Sequence, residues 1–401
     1  MSGIVIIGAG QAGSSLAIKL RTLGYEGAVT LIGEEPYAPY QRPPLSKTYL
    51  LGEMALERLY LRPQELYRDH NIELRLAAQV TAIDPVAGVV SLGHETLAYD
   101  QLALTTGSTP RLLPEAIGGG LENVFAVRGL ADVDAMRPAF ERGGHVLIIG
   151  GGYIGLEAAA VAAKRGLKVT LVEMAERILQ RVACKETSDY FRDLHQSHGV
   201  TLLEGVGLSR LTGTDQVTGA ILSNGETLDI DFALVGVGIQ PNTQLADAAG
   251  LTLNNGIETN ALGQTSQSKI WAAGDCASFP YQGERIRLES VPNAIDQAEV
   301  VAANMLGAQK AYHATPWFWS DQYDVKLQIS GLNQGFENVV TRIGEAGRSH
   351  WYYKAGQVLA VDAMNDPRAY MVAKRLIEAG KTADPALVAD PGSDLKALLR
   401  G

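Results

Sequence analysis

The sequence predicts an α/β protein with two similar βαβ modules and a separate α+β segment towards its C-terminal end. The modules are indicated by two nearly identical hexapeptides, VIIGAG at residues 5–10 and LIIGGG at residues 147–152, each an apolar run that breaks into glycines. From about residue 318, strand patterns such as KLQISGL precede a helical pattern at 366–380. A chain of 401 residues is too long for one hydrophobic core, so we expect two or three domains.

The first module has the order strand, glycine turn, helix and second strand. Its glycines are Gly8, Gly10 and Gly13. An amphipathic stretch at 12–23 follows, and then a strand pattern at 28–35 that carries Glu34. In such a fingerprint the first glycine permits the tight turn, the second lets the backbone approach a pyrophosphate, and the third lets helix and strand pack closely. The helix N-terminus offers N–H groups to phosphates, and the carboxylate accepts hydrogen bonds from a ribose.

The second module repeats this order. Its glycines are Gly150, Gly152 and Gly155. They lead into a helix pattern at 156–165 and a strand pattern at 168–174 that carries Glu173. Both acidic residues lie roughly 20 residues beyond their glycines, as the dinucleotide fingerprint requires. One such motif is weak support for a nucleotide site, but two complete modules predict two sites.

Composition and charge restrict the class of protein. With 46% apolar and 19% charged residues the chain is typical of a globular protein. Its formal net charge of −10 argues against a nucleic-acid or anionic-membrane surface. The sequence has no basic N-terminal region of a signal peptide and no apolar run near the roughly 18 residues of a membrane span. We therefore expect a cytoplasmic protein.

The cysteines and histidines do not form a reactive pattern. Cys184 and Cys276 lie 92 positions apart, so no CxxC pair is present, and we expect both to be small buried thiols. If the protein moves electrons, they do not leave through a dithiol of its own. The seven histidines lack metal-ligand spacing, so no metal site is expected, and His195 and His198 are predicted to lie on a solvated helix face.

Five further segments resemble a known family. They are RPPLSK (42–47), GGGYIGLE (150–157), AAGDCA (272–277), ESVPNAIDQA (289–298) and PWFWSDQY (316–323). With the two fingerprints, they resemble the FAD-dependent, NADH-using reductases of [2Fe-2S] ferredoxins, of the putidaredoxin reductase, rubredoxin reductase and dioxygenase ferredoxin reductase type. These enzymes serve bacterial cytochrome P450 and aromatic-ring dioxygenase systems. The resemblance covers essentially the whole chain.

The resemblance implies a glutathione-reductase-like fold in three domains. The expected domains are an FAD-binding domain at 1–112 and 242–317, an NAD-binding domain at 113–241 and a C-terminal domain at 318–401.

Individual cofactor contacts also follow from the resemblance. The residues that match the family's FAD contacts are Gly8, Gly10, Ala12, Gly13, Glu34, Arg42, Lys47, Val80, Arg128, Asp275, Val291 and Trp319. Among them, Asp275 would bind the ribityl chain, Val291 would present its backbone to the pyrimidine edge, and Trp319 would face the isoalloxazine. The residues that match the NAD contacts are Gly150, Gly152, Ile154, Gly155, Glu173 and Gly238.

Hydride transfer between such cofactors depends chiefly on positioning, and no general acid is obligatory. We predict that Lys47 and Glu157 are the charges nearest the reaction. Lys47 would form a hydrogen bond near the flavin N5, and Glu157 would pair with Lys47 and accept from the nicotinamide amide. Trp319 is the third catalytic candidate, since it would shield the far side of the ring and shape the electron exit.

The implied partner is an acidic [2Fe-2S] ferredoxin that docks transiently on a monomer or weak dimer. Because this chain is also acidic, docking requires local basic groups. The candidates are Arg285, Arg287, Lys374 and Arg375.

Two other functions remain open at this point. One is an NADH-dependent flavoenzyme that reduces a small molecule such as oxygen, a quinone or a radical. The other is an apoptosis-inducing-factor-like flavoprotein in which the reduced flavin acts as a conformational signal. The missing cysteine pair counts against peroxidase and water-forming oxidase variants of the first, and the missing targeting segment counts against the second.

Overall fold

The computed structural model describes residues 3–345 and 347–400, which fall into two compact units. The first unit comprises the chain up to Arg42, together with Ala55–Thr109 and Ile239–Pro316. The second comprises Pro43–Met54, Pro110–Gly238 and the chain from Trp317 onward. The short stretch that carries Lys47 therefore belongs with the second module. The finer division into three domains remains a prediction.

The first unit is built from twelve strands and four α-helices among the described residues. The strands are β1 (Gly3–Ile7), β2 (Val29–Ile32), β3 (Ile72–Arg75), β4 (Ala82–Asp84), β5 (Val89–Leu92), β6 (Glu95–Leu104), β7 (Ser108–Pro110), β16 (Ile239–Pro241), β17 (Ile257–Glu258), β18 (Ile270–Ala272), β19 (Ala277–Tyr281) and β20 (Glu284–Ile286). The helices are α1 (Gln11–Thr22), α2 (Gln64–Asp69), α6 (Gln244–Ala248) and α7 (Val291–Met305), with a 3₁₀ turn at Leu56–Arg58.

A parallel sheet with the order β3-β2-β1-β6-β18 forms the core of this unit. All residues of β1 and β2 are buried, as expected for central parallel strands covered on both faces. Leu16 and Leu20 of α1 and Val301 of α7 belong to the same hydrophobic cluster as Ile4. Strands β4 and β5 extend the sheet with antiparallel pairing onto the first half of β6.

The second unit contains the remaining elements. Its strands are β8 (Val124–Ala126), β9 (His145–Ile149), β10 (Lys168–Glu173), β11 (Thr201–Glu204), β12 (Leu208–Gly213), β13 (Val217–Leu222), β14 (Thr227–Asp229), β15 (Phe232–Val235), β21 (Trp317–Gln322), β22 (Val325–Gly331), β23 (Asn338–Ile343), β24 (Arg348–Lys354) and β25 (Gln357–Met364). Its α-helices are α3 (Leu130–Arg142), α4 (Tyr153–Lys164), α5 (Lys185–Ser197), α8 (Pro367–Glu378) and α9 (Pro385–Ala389). A π-helical turn spans Leu45–Tyr49, and 3₁₀ turns span Glu115–Ile117 and Leu395–Arg400.

The parallel sheet of the second unit has the order β11-β10-β9-β15-β8. This order repeats that of the first unit, with the strand before each glycine turn in the centre and, beside it, the strand that leads to the acidic residue, Glu34 after β2 and Glu173 at the end of β10. An antiparallel three-stranded sheet, β12-β13-β14, accompanies it. The predicted pair of Rossmann-like modules is therefore confirmed.

The C-terminal part of the second unit is an antiparallel sheet with the order β21-β22-β25-β24-β23. Helix α8 begins at the N-cap Asp366, whose Oδ1 accepts the N–H of Ala369 at 3.0 Å. The helix buries Leu376 in one cluster with Trp351 and Val361 of the sheet. This confirms the predicted α+β segment. No helix within the described residues is both long and apolar enough to span a membrane.

Candidate functional site

The first glycine turn joins β1 to α1 and has the shape of a phosphate cradle. Gly8 has φ +113°, and a Cβ there would lie 2.2 Å from the carbonyl oxygen of Thr105. A Cβ on Gly13 would lie 2.0 Å from the carbonyl oxygen of Gly8, so both positions require glycine. At Gly10, in contrast, an added Cβ would meet nothing within 4 Å. The turn is tight where it packs and open where a pyrophosphate would approach, so these residues fit a dinucleotide.

The other residues predicted beside this turn occupy different environments. Ala12 lies in the first turn of α1, where its Cβ is 3.0 Å from the position that a Cβ on Gly274 would take. Glu34 follows β2 and is exposed, whereas Val80 is buried. Arg42 Nη2 lies 2.6 Å from Glu35 Oε1, and its guanidinium carbon is 5.1 Å from the ring centre of Tyr40.

A second group of predicted FAD residues follows β18. Asp275 Oδ2 accepts a hydrogen bond from Ser108 Oγ at 2.8 Å. The preceding Gly274 has φ +83°, and its N–H donates to Gln297 Oε1 at 2.9 Å. Gln297 is 1% exposed, and its Nε2 has no hydrogen-bond acceptor among the described residues. A buried donor without an acceptor next to Gly274 fits a site that receives a polar ligand. Val291 begins α7, directly after its N-cap Ser290.

The second glycine turn, between β9 and α4, repeats the geometry of the first. Gly150 has φ +108°, with a Cβ position 2.4 Å from the carbonyl oxygen of Gly236. A Cβ on Gly155 would lie 2.1 Å from the carbonyl oxygen of Gly150, and one on Gly152 would meet nothing within 4 Å. Ile154, in the first turn of α4, is 44% exposed. This turn also fits a dinucleotide pyrophosphate.

Three further predicted residues belong to the second unit. Glu173 ends β10, and its carboxylate accepts the N–H groups of Gly151 at 2.7 Å and Ala175 at 2.8 Å, which fixes it beside the glycine turn. Gly238 follows β15 with φ +101°, and its carbonyl accepts the N–H of Arg111 at 2.9 Å. Arg128 precedes α3 and has its N–H bonded to Asp132. Its predicted FAD contact remains a prediction.

The structure brings Lys47 and Glu157 together, as predicted. Lys47 Nζ lies 2.6 Å from Glu157 Oε2. Lys47 departs from helical geometry within its turn, with φ −132° and ψ −109°. The Glu157 residue is only 5% exposed, on the second turn of α4. The hydroxyl of Ser46 also donates to Oε2, at 3.1 Å, and that of Ser320 donates to Oε1, at 2.7 Å.

Residues 2–298 of the chain match the family described as Pyridine nucleotide-disulphide oxidoreductase. The chain belongs to this family. Residues 317–399 also match the family described as Reductase C-terminal.

Individual relatives resemble the chain over its full length. It is 39% identical to putidaredoxin reductase CamA of Pseudomonas putida, over 99% of this chain and 96% of that one. It resembles the crystal structure of the ferredoxin reductase for the CYP199A2 system of Rhodopseudomonas palustris, with a TM-score of 0.95, 40% identity and 99% of each chain covered. It also resembles the reductase in the covalent putidaredoxin reductase–putidaredoxin complex, with a TM-score of 0.95, 38% identity and coverage of 100% and 98%.

The family name refers to disulphides, but the cysteines of this pyridine nucleotide-disulphide oxidoreductase are free and buried. Burial raises the pKa of the thiols of Cys184 and Cys276. Thiols of this kind are poor nucleophiles. The prediction of two buried thiols is confirmed.

Trp319 lies in an aromatic segment of β21. The ring centre of Trp319 lies 5.6 Å from that of Trp317 and 6.3 Å from that of Phe318. Phe318 in turn lies 5.0 Å from Tyr153 at the start of α4, and Lys374 Nζ lies 5.0 Å above the Trp317 ring. The predicted contact of Trp319 with flavin remains a prediction.

The prediction that His195 lies on a solvated helix face is wrong. His198 is exposed, but His195 is 0% exposed, and its Nε2 is 2.8 Å from Gln322 Oε1. The many acidic and basic residues of α5 are typical of an exposed helix, although one face of this helix is buried. Ser320 and Gln322 were not among the residues predicted for the site. Their two-residue spacing in a strand would have indicated a shared face, and both are buried.

Three of the four predicted docking cations have structural partners. The side chain of Arg287 is 10% exposed and donates to the carbonyl of Asp275 at 3.0 Å. Arg285 donates to the carbonyls of Thr259 and Ser278. On α8, Arg375 is exposed. Lys374, also on α8, pairs with Glu378 at 3.9 Å, and its side chain is 24% exposed, as is that of Arg285. Arg375 is therefore the only one of the four predicted docking cations that is exposed.

Proposed function

We propose that this chain is an FAD-containing reductase that takes hydride from NADH and passes electrons singly to a [2Fe-2S] ferredoxin. That ferredoxin would serve a cytochrome P450 or a ring-hydroxylating oxygenase. The observation that carries the proposal is similarity over the full length, including the C-terminal sheet, to reductases that are named for their ferredoxins. We place the protein in the cytoplasm, where NADH is available, as a monomer or weak dimer.

We assign FAD to the first glycine turn and NADH to the second. The open positions at Gly10 and Gly152 support a pyrophosphate at each turn. The group following β18, with Asp275 and the buried amide of Gln297, lies in the first unit and supports placing the longer flavin nucleotide there. A bound flavin accepts two electrons as a hydride and releases them one at a time. The three-domain division given by the resemblance is part of this proposal.

In this proposal Lys47 and Glu157 act as a fixed charge pair beside the transferred hydride. Ser46 and Ser320 occupy further lone pairs of the Glu157 carboxylate, so the carboxylate stays oriented although it is buried. Lys47 is thereby held in one place and presents a cation where negative charge develops on reduction. Trp319 would cover the reacting groups and exclude water. Because the hydride passes directly between the cofactors, no residue is required to remove a proton from carbon or to supply one to it.

Electron exit then depends on a docked acceptor, because neither cysteine is accessible. We propose that Arg375, on the exposed face of α8, attracts an acidic ferredoxin. Arg375→Glu should lower the ferredoxin-dependent rate by about threefold at low salt while leaving flavin reduction by NADH unchanged. The matched control is Lys269→Glu, which makes the same charge change at an exposed residue just before β18.

The experiment that tests the function is cytochrome c reduction driven by NADH. The purified protein alone should reduce cytochrome c slowly, and addition of a [2Fe-2S] ferredoxin should raise the rate sharply. Raising the salt concentration should lower this coupled rate much more than the rate of flavin reduction. A rate that no candidate ferredoxin from the same cell increases would refute the proposal and favour a small-molecule acceptor.

A further inference from the structure

A chain of hydrogen bonds leads away from Glu157 through residues to which no role has been given. Ser320 Oγ donates to Glu157 Oε1 at 2.7 Å and receives a hydrogen bond from Gln322 Nε2 at 3.2 Å. Gln322 Oε1 lies 2.8 Å from His195 Nε2, and His195 Nδ1 lies 3.1 Å from the hydroxyl of Tyr323. The chain thus connects α4, β21 and α5 within the second unit.

The direction of every bond in this chain follows from its first member. A carboxylate paired with Lys47 can only accept, so Ser320 must donate to it. The Ser320 oxygen therefore receives the amide N–H of Gln322, which turns the Gln322 oxygen towards His195. His195 must then carry its proton on Nε2. Burial lowers the pKa of His195 to about 4, so the ring is neutral near pH 7 and its Nδ1 accepts from Tyr323.

The hydrogen-bond chain is buried, and its outer end at Tyr323 is held by further contacts. Ser320, Gln322 and His195 are each 0% exposed. Tyr323 lies in the turn between β21 and β22 with φ +56°, a conformation that is unfavourable for a residue with a Cβ. Its ring stacks on His198 with a centroid separation of 3.7 Å and an interplanar angle of 15°. Contacts with His195 of α5 and with His198, the residue that follows this helix, therefore hold the Tyr323 ring at the outer end of the hydrogen-bond chain.

We propose that Ser320, Gln322 and His195 are positioning residues that hold the Glu157 carboxylate towards Lys47 through one oriented hydrogen-bond chain. The inference rests on the proposed function for the role of Glu157 beside the nicotinamide. Every donor in the hydrogen-bond chain points towards the carboxylate, so the bonds polarise one another and hold the carboxylate in one orientation. The amide of Gln322 does not release protons near pH 7, so the chain orients Glu157 and does not conduct protons.

Nuclear magnetic resonance of the flavin-containing protein, labelled with ¹⁵N at histidine, tests the hydrogen-bond chain directly. The resonance of His195 is identified by its loss in His195→Gln. Its nitrogen shifts should be those of a neutral ring protonated at Nε2. Glu157→Gln should move the Nε2–H resonance, because the anion that polarises the chain is removed. In a Ser320→Ala background the same Glu157→Gln change should leave the resonance in place, because the link is already broken.

Rapid-mixing measurements of flavin reduction by NADH provide the second readout. Ser320→Ala should lower the limiting rate constant by about tenfold and change the NADH concentration at half-saturation by less than about twofold. Ser320→Thr, which retains a hydroxyl, should restore most of the rate. Ser349→Ala is the matched control: Ser349 is also 0% exposed, and its hydroxyl bonds Trp351 and Asp366 away from Glu157. It should leave the rate unchanged.

Two results would overturn the inference. One is a His195 resonance that does not respond to Glu157→Gln while Ser320 is present. The other is an equal loss of rate in Ser320→Ala and Ser349→Ala. The resonance measurements need neither NADH turnover nor a ferredoxin, so a failure of the proposed function would leave them interpretable.

Discussion

Lys47 Nζ and Glu157 Oε2 lie 2.6 Å apart although the two residues are 110 positions apart in sequence, and the Glu157 residue is only 5% exposed. The Lys47 side chain is 18% exposed and so keeps some access to water. Removing the charge of Lys47 and removing that of Glu157 should therefore lower the free energy of unfolding by different amounts.

Lys47→Met should destabilise the second unit more than Glu157→Gln. It leaves a buried carboxylate without its cation, which costs about 3 kcal/mol, whereas the neutral amide of Glu157→Gln should cost about 1 kcal/mol. Both variants should slow flavin reduction by NADH. Urea unfolding measures the free energies. The exposed pair Lys185–Asp189, with side-chain exposures of 74% and 35%, provides the control, and Lys185→Met should change stability by less than about 0.5 kcal/mol. Equal losses of unfolding free energy in Lys47→Met and Glu157→Gln would contradict the expected effect of the deeper burial of Glu157.

The glycine turns predict separable effects on folding and cofactor binding. Gly10→Ala has room for its methyl group, so the flavin-free protein should unfold near the parent temperature, but FAD affinity should fall by about tenfold or more because the methyl takes the place of a phosphate. Gly13→Ala should destabilise the flavin-free protein as well, since its Cβ would lie 2.0 Å from a backbone oxygen.

Gly152→Ala is the matched variant at the second turn. It should retain one FAD per chain and raise the KM for NADH. Calorimetry of the flavin-free protein and FAD titration test these outcomes. FAD loss in Gly152→Ala but not in Gly10→Ala would reverse the assignment of the two turns.

The position of Glu173 predicts a preference for NADH over NADPH. A 2′-phosphate about 4 Å from this carboxylate would be repelled by roughly 4 kcal/mol at an effective dielectric near 20. Arg177, whose Nη1 is held by Ser188 Oγ at 2.5 Å and by the carbonyl of Cys184 at 3.2 Å, and Arg181 further along the chain keep their positive charges and would offset part of this repulsion. Comparing kcat/KM for the two nucleotides tests the preference, and Glu173→Gln should narrow it. Equal efficiency in the parent protein would mean that Glu173 does not lie at the ribose.

His195 predicts a loss of stability in acid. Burial lowers the pKa of His195 to about 4, with a further lowering from the nearby His198 and an opposing hydrogen bond to Gln322. The unfolded chain binds this proton near pH 6.5, so the contribution is complete above that pH and is lost as the pH falls towards 4. Between pH 7 and pH 5 it amounts to about 2 kcal/mol.

The difference between parent and His195→Gln isolates this contribution. Burial also lowers the pKa of His350 to about 4 and raises that of Asp362 to about 6, and the Asp362 effect on stability has the opposite sign. Those groups are common to both proteins. The parent should lose about 2 kcal/mol more than His195→Gln between pH 7 and pH 5 in urea unfolding. Parallel pH profiles would show that folding does not lower the pKa of His195.

The glycine turns and the repeated sheet order could be predicted because their causes are local. Gly8 and Gly13 are required by backbone atoms of the same turn and the adjacent strand, and the spacing to Glu34 and Glu173 follows from one βαβ unit. The Lys47–Glu157 pair followed from the family resemblance and from the chemistry of a flavin site. Composition alone does not place a lysine after two prolines beside a residue of α4.

The hydrogen-bond chain could not be predicted because its members meet only in the folded protein. His195 and Gln322 are 127 positions apart, and α5 has acidic and basic side chains on its exposed face that mask a buried histidine. The burial of Arg287 could not be predicted for the same reason. A cation near a charged turn is usually solvated, but the Arg287 guanidinium donates hydrogen bonds to the carbonyls of Asn255 and Asp275.

Rapid mixing of the protein, reduced with NADH under anaerobic conditions, with one acceptor at a time tests the central claim most directly. Oxidised [2Fe-2S] ferredoxin, oxygen and a quinone would each be offered at equal concentration, with flavin reoxidation and bleaching of the iron–sulfur absorption recorded together. The account predicts that ferredoxin reoxidises the flavin fastest, in one-electron steps that match the bleaching of the cluster. Faster reoxidation by oxygen or quinone, unaffected by any ferredoxin from the same cell, would contradict it.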